Sequence, residues 1–337
     1  MIETAITRAF GLATPIVNAG MAMIARPPLT AAVSNAGGLG TLGCDISPPE
    51  RLREMIRETR AMTDGPFGVD LIGDFVTDAH LDVLIEEAVP LAIFFWTLPT
   101  AAQVARLRAA SVAVWMQVGS VAEAKAAHAL GFDALIVQGA EAGGHTRAEA
   151  STMTLFPRVR AMLPDTPLLA SGGIADGRTM AAALVLGADS VWCGTRFLAA
   201  RKSAAHDDYL SRVIAADVGD TAVLTAYGPE WPDQPMRVIL NDSARAALGN
   251  EDRALAEAAG DTAGTVEMDG ARVPIPAYSA ILPTRDFEGD IEKTCLTAGQ
   301  STGNIAEILP AAEIVRRMTE EAEAALRRVG LPAMKAA

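Results

Sequence analysis

The chain of 337 residues, half of them hydrophobic and 20% charged, is long enough for one large folded domain and unlike a disordered segment. Its net charge of −13 would repel a phosphate backbone, which excludes nucleic acid as an expected partner. Three widely separated cysteines and apolar runs much shorter than a bilayer span predict a cytoplasmic protein without disulfides and without membrane association.

From residue 15 to about residue 200, short apolar runs alternate with longer amphipathic segments, which is the pattern of repeated βα units. Eight strands are predicted, at 15–19, 39–42, 66–72, 91–96, 113–118, 134–138, 167–170 and 190–193. Seven helices are predicted between them, at 28–36, 48–62, 77–88, 100–110, 121–130, 151–163 and 177–186. Because the strands are almost continuously apolar, as parallel strands buried on both faces are, we predict a closed (β/α)₈ TIM barrel. A doubly wound open sheet is the alternative.

The rhythm breaks after the eighth strand, so residues 1–204 are expected to form the barrel. Residues 205–290 are rich in Pro, Gly and Asp and predict an inserted, smaller, mainly helical lid or substrate domain. Residues 291–337 are expected to return to the barrel, with an amphipathic helix over 304–328 that packs on it.

A GxGxxG pattern occurs at Gly38, Gly40 and Gly43, and therefore raises the possibility of a dinucleotide-binding turn. That turn needs a strand before it and a helix that opens within it, whereas here a helical segment comes first and a strand follows. We interpret these glycines as the end of a helix packed closely against the second strand.

Two glycine clusters follow the seventh and eighth predicted strands, SGGIADGRT from Ser171 and CGTRF from Cys193. In these barrels the loops after strands seven and eight commonly bind phosphate, because backbone N–H groups face the anion there. Gly172, Gly173, Gly194 and Thr195 are therefore candidate phosphate ligands. Ordinary βα turns are the alternative interpretation.

The segment VQGAEAGGHTR, from Gln138 to His145 and beyond, follows the sixth predicted strand. A histidine in such a Gly-rich loop can swing over a ligand and exchange a proton near neutral pH, so His145 is the candidate catalytic residue. The histidines at 80, 128 and 206 lie in polar or amphipathic helical surroundings. No metal site is predicted, because His, Cys and carboxylates do not cluster at ligand spacing.

Several segments together resemble the nitronate monooxygenase family, formerly called 2-nitropropane dioxygenases, and the related FMN-dependent enoyl-ACP reductases. They are PIVNAGMA, AAVSNAGGLGTLG, PFGVDL, GFDALIVQGAEAGGH, LLASGGIADGRTMAAALVLGADSVWCGTRFLA and AGQSTGNI. The resemblance implies a TIM-barrel flavoprotein oxidoreductase with FMN as cofactor and His145 in the place of the family's catalytic histidine. The remaining cofactor-binding residues that it implies are Asn18, Ala19, Gly20, Met21, Asp70, Gln117, Gln138, Gly143, Gly144, Ser171, Gly172, Gly173, Gly194, Thr195 and Gln300.

The substrate pocket that the resemblance implies consists of Met21, Phe95, Trp96, His145, Arg147 and Ser301. Asp70 stands where the family usually has asparagine, and an ionised carboxylate can accept hydrogen bonds but cannot donate them. Phe95 and Trp96 replace a segment that often carries a histidine, which makes the pocket more apolar. Arg147 adds a cation able to recruit an anionic substrate, or is simply a solvated loop residue.

The leading hypothesis is oxidation of alkyl nitronates or nitroalkanes by O₂ to a carbonyl compound and nitrite, with His145 as base or hydrogen-bond donor. The alternative is an NAD(P)H-dependent reductase of an enoyl thioester or a quinone. A flavin-binding protein without catalysis is the third hypothesis. Each has a small-molecule partner, and the sequence leaves open whether the chain forms a homo-oligomer.

Overall fold

The computed structural model describes residues 2–44, 46–229, 231–268 and 270–330. Eight parallel strands form one sheet in the order β1, β9, β8, β6, β5, β4, β3 and β2. The strands are β1 Ile16–Asn18, β2 Gly40–Gly43, β3 Phe67–Ile72, β4 Leu91–Phe95, β5 Ala113–Val118, β6 Ala134–Gln138, β8 Leu168–Ser171 and β9 Ser190–Cys193, with β7 outside this sheet. All eight predicted strands and the predicted TIM barrel are thereby confirmed.

The helices that follow the barrel strands match the seven predicted ones. They are α2 Pro27–Asn35, α3 Pro49–Met62, α4 Asp78–Glu86, α5 Ala101–Ala109, α6 Val121–Ala129, α7 Thr152–Met162 and α8 Gly177–Val185, followed by the short α9 Thr195–Leu198. Local side chains fix several starts: Asp176, for example, accepts a hydrogen bond from the Thr179 N–H at the start of α8. Among the described residues no helix is both long and apolar enough to cross a bilayer.

Asn18 closes the barrel where the backbone pairing between β1 and β2 is incomplete. In the described part of the chain, the backbone pairing here is a single parallel bridge between Val17 of β1 and Leu39, just before β2. The Asn18 side chain completes the joint, because its Oδ1 accepts from the Thr41 N–H at 2.9 Å and its Nδ2 donates to the Thr41 carbonyl at 3.0 Å. A carboxamide suits this position, since it offers both a donor and an acceptor to the carbonyl and the N–H of one residue.

The barrel interior is filled by side chains and plugged at one end by the N-terminal helix α1, Ala5–Phe10. The interior cluster contains Ile93, Trp115 and Trp192, and the Phe10 ring packs edge-on against Trp115 at 5.4 Å. The interior is therefore a packed core, as in other barrels of this class, and the working surface must lie at one end.

Residues 205–290, here called the lid, contain strands as well as helices. The lid elements are α10 Asp207–Ala215, β10 Thr221–Leu224, β11 Met236–Ile239, α11 Asp242–Ala247, α12 Glu251–Glu257, β12 Thr262–Met268, β13 Ala271–Pro276 and β14 Glu288–Gly289. The expectation of a mainly helical lid was too narrow, because β12 and β13 form a hairpin with its own small core around Val266 and Phe287.

The last helix is α13, Ala311–Arg328, which packs against α8 and α2. The predicted helix over 304–328 begins seven residues later than expected, after Pro310. α13 packs closely on α8, because a side chain at Gly177 of α8 would place its Cβ only 2.4 Å from the backbone nitrogen of Ala322 in α13. Because α9 is short, α13 covers this side of the barrel.

Candidate active site

A cavity of about 640 Å³ lies at the C-terminal ends of the barrel strands, under the lid. Most of the predicted site residues line it, namely Ala19, Gly20, Met21, Asp70, Phe95, Gln117, Gln138, Gly143, Gly144, His145, Ser171, Gly172, Gly173, Gly194, Thr195 and Ser301. Strand ends that are far apart in the chain meet here because parallel barrel strands all finish at the same face.

The glycines after β8 and β9 give one wall of this cavity a bare backbone. Gly172 and Gly173 have φ of +98° and +73°, values that side chains rarely tolerate. A Cβ on Gly172 would also lie 2.9 Å from the Thr152 hydroxyl oxygen. Thr195 contributes a hydroxyl that accepts from the Gly299 N–H at 2.9 Å and keeps its own proton to donate.

The segment from Gln138 to His145, here called the catalytic loop, is fixed from three sides. The guanidinium of Arg237, in lid strand β11, donates two hydrogen bonds to the Ala140 carbonyl, at 2.8 and 3.1 Å. The Glu141 carboxylate accepts from the Thr152 N–H at the start of α7. The Glu141 carbonyl accepts from the Gln300 N–H at 2.9 Å. The loop is therefore positioned by barrel, lid and return segment together.

His145 lies in a strand rather than in a swinging loop. Gly144–His145 form β7, which pairs antiparallel with β11, and Met236 is the register partner of His145. The expectation that His145 lies in a loop was wrong, because it belongs to the lid sheet β10–β11–β7. Gln138 adds a hydrogen bond to the His145 carbonyl at 3.4 Å.

Two tryptophans enclose the His145 ring. Trp231, from the lid, lies 4.7 Å from it between ring centroids, and Trp96, at the end of β4, lies 5.6 Å away. The Trp231 indole N–H donates to the Asp74 carboxylate at 3.1 Å, which connects the lid to the loop after β3. Trp231 was missed by the sequence analysis; the one available signal was an aromatic residue within the Pro-rich segment of the lid.

Burial changes the acid–base behaviour of His145. Loss of hydration lowers its pKa from 6.5 to about 4, so the imidazole is neutral at physiological pH. The buried Nε2 atom has no hydrogen-bond partner in the part of the chain that the structure describes. A neutral imidazole with an unused nitrogen at a cavity is available to take up or deliver a proton.

Asp70 provides a second unsatisfied polar group at the same cavity. Its Oδ1 atom is buried without a hydrogen-bond partner among the described residues. Burial raises the pKa of the Asp70 carboxyl well above its usual range, and a hydrogen bond from the Leu71 backbone opposes this only in part. Orphaned polar atoms and a glycine-walled cradle fit a polar, phosphate-bearing group such as a flavin nucleotide.

Four predicted site residues do not line the large cavity. Asn18 lies in the barrel wall with its side chain committed to Thr41, so the structure gives no support to a contact with the flavin ring. Gln300 contributes its backbone to the catalytic loop rather than its side chain to the cavity.

Trp96 and Arg147 line a small neighbouring pocket, where the guanidinium stacks over the indole at 4.0 Å. Arg147 also pairs with Glu123, so it is partly neutralised.

A sequence profile described as "Nitronate monooxygenase" matches residues 3–76 and 72–321 of this chain. The chain belongs to this family. The match covers the barrel, the lid and most of the return segment. It therefore includes both the barrel residues and the lid residues that line the cavity. Membership supports a flavin as cofactor and makes the protein one of a family of oxidoreductases.

Individual relatives carry several activities in their names. A "(3aS,4S,5R,7aS)-5-hydroxy-7a-methyl-1-oxo-octahydro-1H-indene-4-carboxyl-CoA dehydrogenase" of Rhodococcus jostii is 40% identical over 223 residues, which are 66% of this chain and 62% of that protein. The structure of FabK from Thermotoga maritima aligns with a TM-score of 0.82 and 34% identity over 98% of this chain and 99% of the other. A nitroalkane oxidase from Streptomyces ansochromogenes aligns with a TM-score of 0.78 and 27% identity over 97% and 100%. The printed names of these similar proteins thus refer to more than one reaction.

Proposed function

We propose that this protein is an FMN-dependent oxidoreductase that converts alkyl nitronates or nitroalkanes, with O₂ as oxidant, to a carbonyl compound and nitrite. The observation that carries the proposal is His145, which lines a cavity with a glycine cradle and whose neutral imidazole has an unpartnered nitrogen. The family match and the nitroalkane oxidase neighbour support the reaction class.

The barrel would hold the cofactor. Gly172, Gly173, Gly194 and Thr195 would bind its phosphate through backbone N–H groups and one hydroxyl. Asp70, Gln117, Gln138 and the segment Ala19–Met21 would face the ring system, since all of them line the same cavity. When bound, FMN supplies the electron acceptor for the oxidation.

His145 would perform the proton transfer. For a nitroalkane, the unpartnered Nε2 would accept the proton from the carbon next to the nitro group. For a preformed nitronate, the imidazole would be needed only as a hydrogen-bond partner of the nitro oxygens. Trp231 and Trp96 exclude water from the ring and keep it neutral before substrate arrives.

The test is a steady-state assay of the FMN-loaded protein with ethyl or propyl nitronate under air. Oxygen uptake together with nitrite release is the expected result. The matched control is His128→Gln, since His128 is exposed on α6, against His145→Gln. Absence of both oxygen uptake and nitrite release would exclude this function.

A second candidate is an NAD(P)H-dependent reductase of an enoyl thioester or quinone. The cavity favours it because it extends beyond His145 to lid residues such as Met268, Ile281 and Arg285, which a substrate of a few atoms would not reach. The names of the FabK and CoA dehydrogenase relatives point the same way. Rapid anaerobic bleaching of the bound flavin by NADH would favour this candidate, and an unchanged flavin spectrum would exclude it.

A further inference from the structure

Asp70 occupies a position where its side chain has little freedom. It is the fourth residue of β3, with Gly43 of β2 and Ile93 of β4 as its register partners. A Cβ on Gly20 would lie 2.1 Å from the Asp70 Cβ and 2.5 Å from its Oδ2. Gly20 is therefore packed directly against the carboxyl group, and the carboxyl cannot turn away into this space.

Among the described residues, no charged side chain pairs with the Asp70 carboxyl, and its Oδ1 atom has no hydrogen-bond partner. Of the ionisable groups around it, Arg26 donates to the Gly43 carbonyl, Cys44 follows β2, and His145 lines the same cavity. Burial raises the pKa of the Asp70 carboxyl, and a hydrogen bond from the Leu71 backbone N–H lowers it. No charged side chain of the described residues shifts it further. A buried carboxylate without a cation is costly, so such groups keep their proton.

A neutral carboxylic acid has a hydrogen-bonding capacity that the carboxylate lacks. It carries one O–H donor and one carbonyl acceptor, as the amide of asparagine carries a donor and an acceptor. The edge of a flavin ring presents carbonyl oxygens on either side of an N–H group. A neutral Asp70 can therefore satisfy a donor–acceptor pair on that edge, whereas an ionised one can only accept.

We propose that Asp70 binds the flavin ring as a neutral carboxylic acid, with its O–H donating to a ring carbonyl oxygen. This inference rests on the proposed flavin site and specifies how one wall of it works. Asp70 acts as a positioning residue for the cofactor, and its loss of a proton removes the donor. Flavin binding then weakens as the pH rises through the range in which Asp70 ionises.

The test is the pH dependence of FMN dissociation, measured by quenching of flavin fluorescence, for the native chain, Asp70→Asn and Asp64→Asn. Asp64 is exposed just before β3, so its variant controls for the charge change. Between mildly acidic and alkaline pH, the FMN affinity of the native and Asp64→Asn proteins should fall. Relative to Asp70→Asn, we expect this loss to be at least about tenfold, equivalent to about 1.4 kcal/mol. The visible spectrum of the bound flavin should change with the same midpoint only where Asp70 is present.

Two results would overturn the inference in distinguishable ways. Parallel pH curves for native and Asp70→Asn proteins, or a native curve that rises with pH because an ionised Asp70 accepts from the ring N–H, would contradict the neutral acid alone. Failure of both proteins to bind FMN at any pH would remove the proposed function together with it.

The flavin-free protein gives an independent readout. The pKa of Asp70 is higher in the folded protein than in the unfolded chain. Such a group stabilises the folded protein at low pH, and this contribution to the free energy of unfolding is lost as the pH rises through the folded-state pKa. Asp70→Asn lacks this loss, so its melting temperature should exceed the native value increasingly as pH rises. A difference that stays constant with pH would contradict the account.

Discussion

The two walls of the cavity are built in different ways. The barrel wall around Gly172, Gly173 and Gly194 consists of backbone, and at Gly172 and Gly173 its shape depends on positive φ. The lid wall consists of large side chains, with Trp231 packed on His145 and tied to Asp74. The backbone wall suits a constant group such as a phosphate, whereas the side-chain wall can differ between relatives and so set the substrate and the acid–base chemistry.

The largest effect should come from His145, the proton-handling group against which the lid packs. Replacement of His145 by Gln keeps a side chain of similar length but removes the titrating nitrogen. With a nitroalkane as substrate, which must lose a proton, we expect kcat/KM to fall by about 10²–10⁴-fold with flavin affinity nearly unchanged. Steady-state kinetics and FMN titration of the same preparation check this, and a loss of flavin in parallel with activity would show that the two walls are not separate.

The next largest effect should come from the backbone wall. A side chain at Gly172 would be strained at φ +98° and would meet the Thr152 hydroxyl oxygen at 2.9 Å. For Gly172→Ala we expect FMN affinity to fall by about 5- to 150-fold, equivalent to about 1–3 kcal/mol of backbone strain. Gly219→Ala is the matched control, because its Cβ would meet nothing within 4 Å. Equal FMN affinity in the two variants would contradict the cradle.

A smaller effect, of a different kind, is expected from Trp231→Ala. Water would reach the imidazole, so the pKa of His145 should rise from about 4 toward its ordinary value. The acid limb of the pH–rate profile, where the protonated imidazole is inactive, should move upward in pH, and kcat/KM should fall by about 10- to 100-fold. Trp231→Phe keeps an aromatic ring, and its acid limb should stay low. Identical profiles for all three proteins would mean that the lid does not control His145.

The smallest effect on the site should come from Asn18, which belongs to the barrel joint. Asn18→Ala leaves the buried Thr41 N–H without its side-chain partner, while the Thr41 carbonyl keeps the hydrogen bond from the Thr30 hydroxyl. The free energy of unfolding should therefore fall by about 1–3 kcal/mol. FMN affinity should change little. Asn250→Ala is the control, since the exposed Asn250 side chain makes no cap hydrogen bond. Urea unfolding of the flavin-free proteins measures the difference in the free energy of unfolding. A loss of FMN affinity without a loss of stability would indicate that Asn18 contacts the cofactor instead.

The sequence was informative where local pattern and backbone chemistry determine the result. Each barrel strand is a short, continuous apolar run, and the glycines at 172, 173 and 194 follow strands whose ends must meet at one face. The lid was harder to predict because its strands are short and contain Pro and Gly. The position of Trp231 on His145 depends on the pairing of β7 with β11, which joins segments about 90 residues apart.

Three site details could not be read from motifs because they depend on neighbours in space. Asn18 lies in a conspicuous segment beside the residues proposed to bind the flavin, yet its partner is Thr41. Arg237, which fixes the Ala140 carbonyl, is an ordinary strand residue in the sequence. The raised pKa of Asp70 comes from its burial, with no compensating cation among the described residues around it, and no local pattern records this.

The central claim is that the lid holds His145 neutral above the barrel, ready to exchange a proton. Nitrogen-15 NMR of the histidine side chains tests it directly, because the chain has only four histidines and His145→Gln assigns the signal. Between about pH 8 and about pH 5.5, the His145 signal should remain that of a neutral imidazole. A His145 signal that titrates with a midpoint between about 6 and about 7 would contradict the account.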